Sequence, residues 1–243
     1  MINLIVSGVC GKMGSRILAL ARKDSDFRIV GALEANGKPE IGKEIFSGVK
    51  VTDDLDPLLA KGDVLIDFTT PEATLAHLRQ VVKARKAIVI GTTGFTDQQM
   101  EEIHKASNVI SLLLSPNMSV GVNQFFEMIR DITKKIGREY KIEITETHHV
   151  HKKDAPSGTA KKLAEIMAEV LNKKPEEIPT RSIREGEVVG IHTVTFIGSQ
   201  ERIELTHTAD SRDTFALGAL RGAKFVAKQK PGLYAMKDVL TRC

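Results

Sequence analysis

The chain has 243 residues, 42% of them hydrophobic, and two cysteines, Cys10 and Cys243; this is enough to bury a core near the one-domain to two-domain boundary and too little sulfur for a disulfide framework. A net charge of +4 comes from 35 basic residues scattered among 31 acidic ones, with two Tyr and no Trp, which points away from nucleic acid and toward a small anionic substrate. No apolar run reaches the roughly 18 residues of a membrane span and no charged leader opens the chain, so no membrane partner is expected and the protein is read as cytoplasmic.

The first half alternates short apolar runs with helix-like stretches, the pattern of consecutive βαβ units on a parallel sheet. Residues 3–8 (NLIVSG), 28–34 (RIVGALE), 63–68 (DVLIDF), 87–91 (AIVIG) and 109–115 (VISLLLS) are the predicted strands, continuous in apolar character as strands buried on both faces should be. Between them, Thr70 and Pro71 predict the start of a helix carrying Leu75, Leu78 and Val82, and Thr96 with Gln99 predicts a capping box. The fold class expected here is α/β, a Rossmann-like doubly wound parallel sheet.

Ligands in such sheets bind beyond the carboxyl ends of the strands. Those ends read Gly8, Glu34, Thr69 with Thr70, the GTTG run 91–94, and the SPNMS run 115–119, which together outline an extended ligand along the sheet edge. The stretch SGVCGKMG sets Gly8, Gly11 and Gly14 between a strand and a helix expected to begin near Lys12. Glycines let the backbone approach a pyrophosphate, and a helix N-terminus offers unpaired N–H groups and the positive end of a dipole. Glu34, at the end of the second strand, can accept hydrogen bonds from an adenosine ribose, so a nicotinamide dinucleotide is predicted. A 2′-phosphate would be repelled by Glu34 and finds only Ala35 beside it. NADH is therefore the expected cofactor, while Lys12 and Lys38, within sequence reach of a phosphate, leave NADPH open. Cys10 reads as a small loop residue, with a thiolate activated by the helix terminus as the alternative.

After residue 119 the pattern changes. A helix is predicted over 120–136, closed by Gly137, and residues 140–149 alternate as a strand with Ile142, Ile144, Glu146 and His148 on one face. Segments 188–198 and 202–209 also alternate and form a hairpin, giving an α+β unit. Residues 211–228 read as a helix N-capped by Ser211, and 232–240 as a closing segment. The predicted organisation is 1–119 as a dinucleotide-binding domain, 120–211 as a substrate domain, and 212–243 as a helix and tail returning to the first. Crossings near 119 and 211 would form a hinge with the ligand cleft between the halves.

Residues 146–160, ETHHVHKKDAPSGTA, concentrate histidine and lysine ahead of a Pro-Ser-Gly-Thr turn. No metal is expected, because His148 and His149 are adjacent in a strand and point to opposite faces, and no cysteine or H-E-x-x-H spacing accompanies them. His151 and Lys153 alone read as solvated loop residues. The turn predicts a helix running through Leu163, Ile166, Met167 and Val170, whose N-terminus, with the hydroxyls of Ser157 and Thr159, suits a carboxylate; Lys152 and His149 add positive charge. His148 is then free for proton transfer. A carboxylate-bearing substrate, a proton donor and a hydride carrier describe reductive protonation of a C=C or C=N bond.

At these residues the chain resembles the 4-hydroxy-tetrahydrodipicolinate reductase (dihydrodipicolinate reductase) family of lysine biosynthesis through diaminopimelate, over nearly its whole length. ETHHVHKKDAPSGTA keeps every fixed position of the family's E-x-H-H-x-x-K-x-D-A-P-S-G-T-A signature, GVCGKMG is similar to its glycine loop, and GTTG and SPNMSVGVN to two further cofactor loops. The resemblance implies a substrate and oligomerisation domain built on a mixed open sheet, and a homotetramer assembled through it. It implies His148 as proton donor with Lys152 as catalytic partner, His149, Ser157, Gly158 and Thr159 as ligands of the substrate carboxylate, and Arg212 near the substrate. Its cofactor residues correspond to Gly8, Val9, Cys10, Gly11, Lys12, Met13, Glu34, Gly91, Thr92, Thr93, Ser115, Pro116, Asn117 and Met118. Ala35 departs from the family, many members of which carry arginine there. The reaction implied is NAD(P)H-dependent reduction of 4-hydroxy-2,3,4,5-tetrahydrodipicolinate, through dehydration to dihydrodipicolinate, giving tetrahydrodipicolinate. Two other readings share the first domain: another Rossmann-type dehydrogenase acting on a small amino or hydroxy dicarboxylate, such as aspartate, and a non-catalytic NAD(P)-binding sensor, which would need no proton donor.

Overall fold

The structure is a computed structural model that describes every residue except Ser47, Arg242 and Cys243; Cys243, noted above, lies outside the described residues. The chain divides into two units, Met1–Ser119 with the chain from Asp213 onward, and Val120–Arg212. Arg212 thus belongs to the second unit.

In the first unit the strands are β1 (Ile2–Ser7), β2 (Phe27–Leu33), β3 (Glu44–Phe46), β4 (Val49–Thr52), β5 (Val64–Asp67), β6 (Ala87–Ile90) and β7 (Ser111–Leu114). The helices between them are α1 (Lys12–Ala21), α2 (Asp56–Leu59), α3 (Pro71–Ala84) and α4 (Asp97–Ser107). In the second unit, α5 (Val120–Ile136) leads into β8 (Lys141–His148), α6 (Gly158–Leu171), β9 (Thr180–Arg184), β10 (Gly190–Ile197) and β11 (Arg202–Ala209). The returning segment holds α7 (Asp213–Val226), β12 (Gly232–Tyr234) and α8 (Met236–Leu240).

The first sheet has eight strands in the order β12-β7-β6-β5-β1-β2-β4-β3. All its pairings are parallel except β3 with β4. Leu4, Ile5, Val6, Leu65, Ile66, Ile88, Ile90 and Leu112 have no exposed surface, as a sheet covered on both faces requires. The chain runs from β1 to one side through β2 and then resumes on the other with β5, so the switch point of the doubly wound order falls at β1. Local sequence sets the helix starts that frame this edge. The Thr70 hydroxyl accepts from the Ala73 amide at the head of α3, and Thr96 with Gln99 closes a reciprocal box on α4.

The return of α7 to this unit is fixed by charge and by a close backbone approach. Arg16 Nε lies 2.6 Å from Asp213, and Lys224 Nζ reaches Asp24 at 2.8 Å and Asp26 at 2.6 Å. A Cβ on Gly218 would fall 1.7 Å from the Met118 carbonyl oxygen, so only glycine lets the helix lie there. The helix begins at Asp213, two residues after Ser211; the Asp213 carboxylate, clamped by Arg16, sits in its first turn.

The second sheet has the order β11-β10-β8-β9, antiparallel except for the parallel β8–β9 pair, and is therefore mixed. Its core face sets Ile142, Ile144, Val194 and Phe196 in one apolar cluster with Phe125 and Ile129 of α5 and Leu163 and Met167 of α6. Among the described residues no helix is long and apolar enough to cross a membrane.

Candidate active site

The carboxyl edge of the first sheet gathers the predicted cofactor loops. Gly8 has φ +64°, and a Cβ on Gly14 would lie 2.1 Å from the Gly8 carbonyl oxygen, which is itself bonded to the Gly11 amide at 2.9 Å. The turn closes on its own backbone, and Gly11 caps α1 with no side-chain hydrogen bond and no acid in the first turn. Such a terminus is suited to phosphate oxygens. Glu34 braces the loop: one carboxylate oxygen accepts from the Cys10 amide at 2.8 Å and the other from the Ala35 amide at 2.9 Å. Burial alone would raise this carboxyl, but the two amides outweigh it and hold it below the usual glutamate value. Val9 is buried with its amide on the Leu33 carbonyl at 3.3 Å, Lys12 is exposed at the first position of α1, and Met13 is half-buried. Cys10 is exposed, yet local burial and then the adjacent Glu34 push its thiol up to about 11, so it is no activated thiolate.

Gly91 closes onto the neighbouring strand end, its amide 2.8 Å from the Asp67 carbonyl, and a Cβ there would lie 2.1 Å from the Phe68 ring. Thr92 is buried and Thr93 exposed. In the last loop the Ser115 hydroxyl donates to the Asn117 carbonyl at 2.8 Å, Asn117 Oδ1 accepts from the Ser119 amide at 2.9 Å, and Pro116 is exposed. Met118 is only 2% exposed, so its side chain serves the core and leaves its backbone for any other contact. This glycine-lined edge, where α1 starts without a side-chain cap, fits a dinucleotide.

In the second unit the site grows out of strand register. On β8 the buried face carries Ile142, Ile144, Glu146 and His148 in alternation, so the apolar core grades into titratable groups. Across the sheet Glu146 stands opposite His192 on β10 and Ser182 on β9, and His148 opposite Arg184. Glu146 has no exposed surface; it meets His148 Nδ1 through one oxygen and Arg184 Nη1 at 3.0 Å through the other. Burial would raise the Glu146 carboxyl, but Ser182, Arg184 and His148 outweigh it and hold it below the ordinary value. His148 is pulled the other way: burial lowers its pKa, Glu146 opposes, and Lys152 and Arg184 add to the drop, leaving it below 6.5. The His148 and His192 rings meet edge-on at 5.0 Å, and burial first, then His148, pushes His192 down to about 4.

The start of α6 meets this cluster. Ser157, 2% exposed, caps the helix by accepting from the Ala160 amide at 3.2 Å, and its hydroxyl lies 3.1 Å from His192 Nε2. A Cβ on Gly158 would meet nothing within 4 Å, so open space lies before the first turn, where Thr159 follows. Lys152 Nζ pairs with Asp154 at 2.7 Å, and His149 has a buried Nδ1 with no hydrogen-bond partner. Arg212 is exposed at the end of this unit, and His151 and Lys153 sit in the connecting loop, His151 exposed and 3.6 Å from Glu187. A separate cavity of about 450 Å³ runs along the flank of α6 and is lined by Pro156, Ala160, Ala164 and Ile178, with none of these histidines.

Ligand atoms of Glu146, His148 and His192 lie within 4.8 Å of one another. The guanidinium of Arg184 already occupies Glu146, which opposes a second cation there; the set reads as an imidazole held by a carboxylate. Glu146, Arg184 and His192 carry no role in the sequence reading. Two of them had a signal: Glu146 and His192 occupy core-face positions of alternating strands, where a charged or titratable side chain needs a reason. Arg184 had none, because β9 (TRSIR) is a polar edge strand without apolar alternation.

Family models described as "Dihydrodipicolinate reductase, N-terminus" and "Dihydrodipicolinate reductase, C-terminus" match residues 2–118 and 121–240. A 4-hydroxy-tetrahydrodipicolinate reductase of Syntrophus aciditrophicus is 41% identical over 99% of this chain and 98% of its own, and one of Syntrophobacter fumaroxidans is 42% identical over 99% of both. The solved dipicolinate-bound dihydrodipicolinate reductase from Paenisporosarcina sp. TG-14 superposes with a TM-score of 0.83 at 26% identity, over 98% of this chain and 99% of that one. The chain belongs to the dihydrodipicolinate reductase family.

Proposed function

We propose that the protein is an NAD(P)H-dependent oxidoreductase that reduces 4-hydroxy-2,3,4,5-tetrahydrodipicolinate, after loss of water to dihydrodipicolinate, to tetrahydrodipicolinate in lysine biosynthesis. The reading is carried by one arrangement: His148, held by buried Glu146, beside the open first turn of α6 in a chain of this family. A structural relative bound to dipicolinate, a ring with two carboxylates, supports the same class of ligand.

In the mechanism, the 4-hydroxyl leaves as water with a hydrogen from C5, the carbon next to C6=N1, giving the conjugated imine C4=C5–C6=N1. When bound at the glycine-lined edge, a reduced nicotinamide supplies the hydride that C4 accepts. His148 Nε2 delivers a proton to C5 as the electron pair of C4=C5, conjugated with C6=N1, moves there, because Nδ1 is committed to Glu146. Lys152, His149 and the Ser157–Thr159 turn hold the carboxylates and offset the negative charge that builds on the ring, with Arg212 as a further cationic ligand. Glu34 with Ala35 favours NADH over NADPH. Assembly as a cytoplasmic homotetramer through the second unit would cover Ile203, 40% exposed on β11, and sedimentation would measure it.

The direct test follows absorbance of NADH and of NADPH with substrate generated in place by the preceding condensing enzyme. Oxidation of either cofactor, faster with NADH, is expected. Inactivity on this ring together with aspartate oxidation by NAD would overturn the assignment.

A further inference from the structure

A buried acid ties together the loops assigned to the cofactor, and the mechanism above makes no use of it. Asp67 ends β5 with no exposed surface. Its Oδ1 accepts from the Thr69 amide at 3.0 Å, the Thr69 hydroxyl at 2.6 Å and the Thr74 hydroxyl at 3.1 Å, while Oδ2 meets His77 Nδ1 at 2.6 Å. Thr74 Oγ1 in turn lies 2.8 Å from Thr92 Oγ1 in the Gly91–Gly94 loop. The segment is also wedged against both glycine turns: Thr69 Cγ2 would be 3.1 Å from a Cβ on Gly8, and the Asp67 carbonyl accepts from the Gly91 amide at 2.8 Å.

The chemistry orders the hydrogens. Burial would raise the Asp67 carboxyl, but His77 and Thr69 outweigh it and hold it below the usual carboxylate range, so it can only accept. Thr69 and Thr74 must then donate to it. Thr74 has only lone pairs left for Thr92, whose one hydroxyl hydrogen is committed inward.

We propose that Asp67 is a positioning residue for the cofactor, acting through Thr74 to hold Thr92 and its loop in one orientation. The proposal rests on the reading of 91–93 as a cofactor loop. Thr74→Val removes the relay hydroxyl at nearly constant shape and orphans Thr92; Thr74→Ser keeps it. Fluorescence titration of the full-length protein with NADH should show binding weakened about tenfold in Thr74→Val and within about twofold of the parent in Thr74→Ser. The double variant Thr74→Val/Thr92→Val leaves neither hydroxyl unpaired, so it keeps the test if Thr74→Val alone unfolds. It should bind NADH as Thr92→Val alone does. Parent-like affinity in Thr74→Val, equal weakening in Thr74→Ser, or a double variant much weaker than Thr92→Val overturns the proposal while leaving the cofactor reading intact. A parent protein that binds neither NADH nor NADPH removes both.

Discussion

Glu146 and His148 stand two residues apart on the buried face of β8, joined through His148 Nδ1, with Arg184 on the far side of the carboxylate at 3.0 Å. An imidazole that gives its Nδ1 hydrogen to a carboxylate has only Nε2 left to carry a second proton. A Cβ on Gly190 would lie 3.1 Å from that Nε2, so the missing side chain keeps it approachable. Glu146→Gln retains an acceptor for Nδ1 but removes the charge that opposes the fall of the His148 pKa. The activity of a protonated acid declines as pH rises through its pKa. The decline in kcat should therefore begin at lower pH in Glu146→Gln, with kcat at neutral pH about tenfold down, and an unshifted pH profile would contradict this.

His148→Gln removes the proposed proton donor itself. Its kcat should fall roughly a hundredfold or more, while the dissociation constant for NADH, measured by titration, stays near that of the parent because His148 and the glycine loop belong to different units.

Stability should fall in mild acid because of His192, 4% exposed and pushed from 6.5 to about 4. The unfolded chain takes up a proton that the folded one refuses, so stability is complete above about pH 6.5 and declines as pH falls toward about 4; the drop from 6.5 to about 4 corresponds to about 3 kcal/mol. His148 and His207, also lowered chiefly by burial, act in the same sense. Urea unfolding of His192→Asn at a series of pH values should show a shallower decline over that range than the parent, and an identical slope would contradict the assignment.

Cofactor choice should respond at residue 35. Glu34 is occupied by the Cys10 and Ala35 amides and remains ionised beside the site proposed for the ribose. Ala35→Arg places a guanidinium where a 2′-phosphate would need one. The ratio of kcat/KM for NADPH over NADH should rise about tenfold; no change would separate residue 35 from the ribose.

The parallel sheet and its loops were legible because buried strands of uniform apolar character and capped helices are local features, as at Ile88 to Ile90 and at Thr96 with Gln99. The alternation of Ile142, Ile144, Glu146 and His148 likewise gave the strand face correctly. What escaped lies in pairing. The short β3, β4 and β12 carry three or four residues each, too few for a periodic pattern. The Arg184 and His192 contacts with Glu146 and Ser157 depend on strand register and on where α6 starts, neither of which is written in any one segment. The same holds for α7, whose first residue is set by Arg16, about two hundred residues earlier in the chain.

Isotope transfer tests the central claim most directly. With a cofactor carrying deuterium at its transferable position, the product formed in ordinary water should carry one deuterium, at C4 of the ring, as read by NMR, and His148→Gln should give the same label at a rate at least about a hundredfold lower. A product without deuterium, or a His148→Gln protein as fast as the parent, would contradict the account.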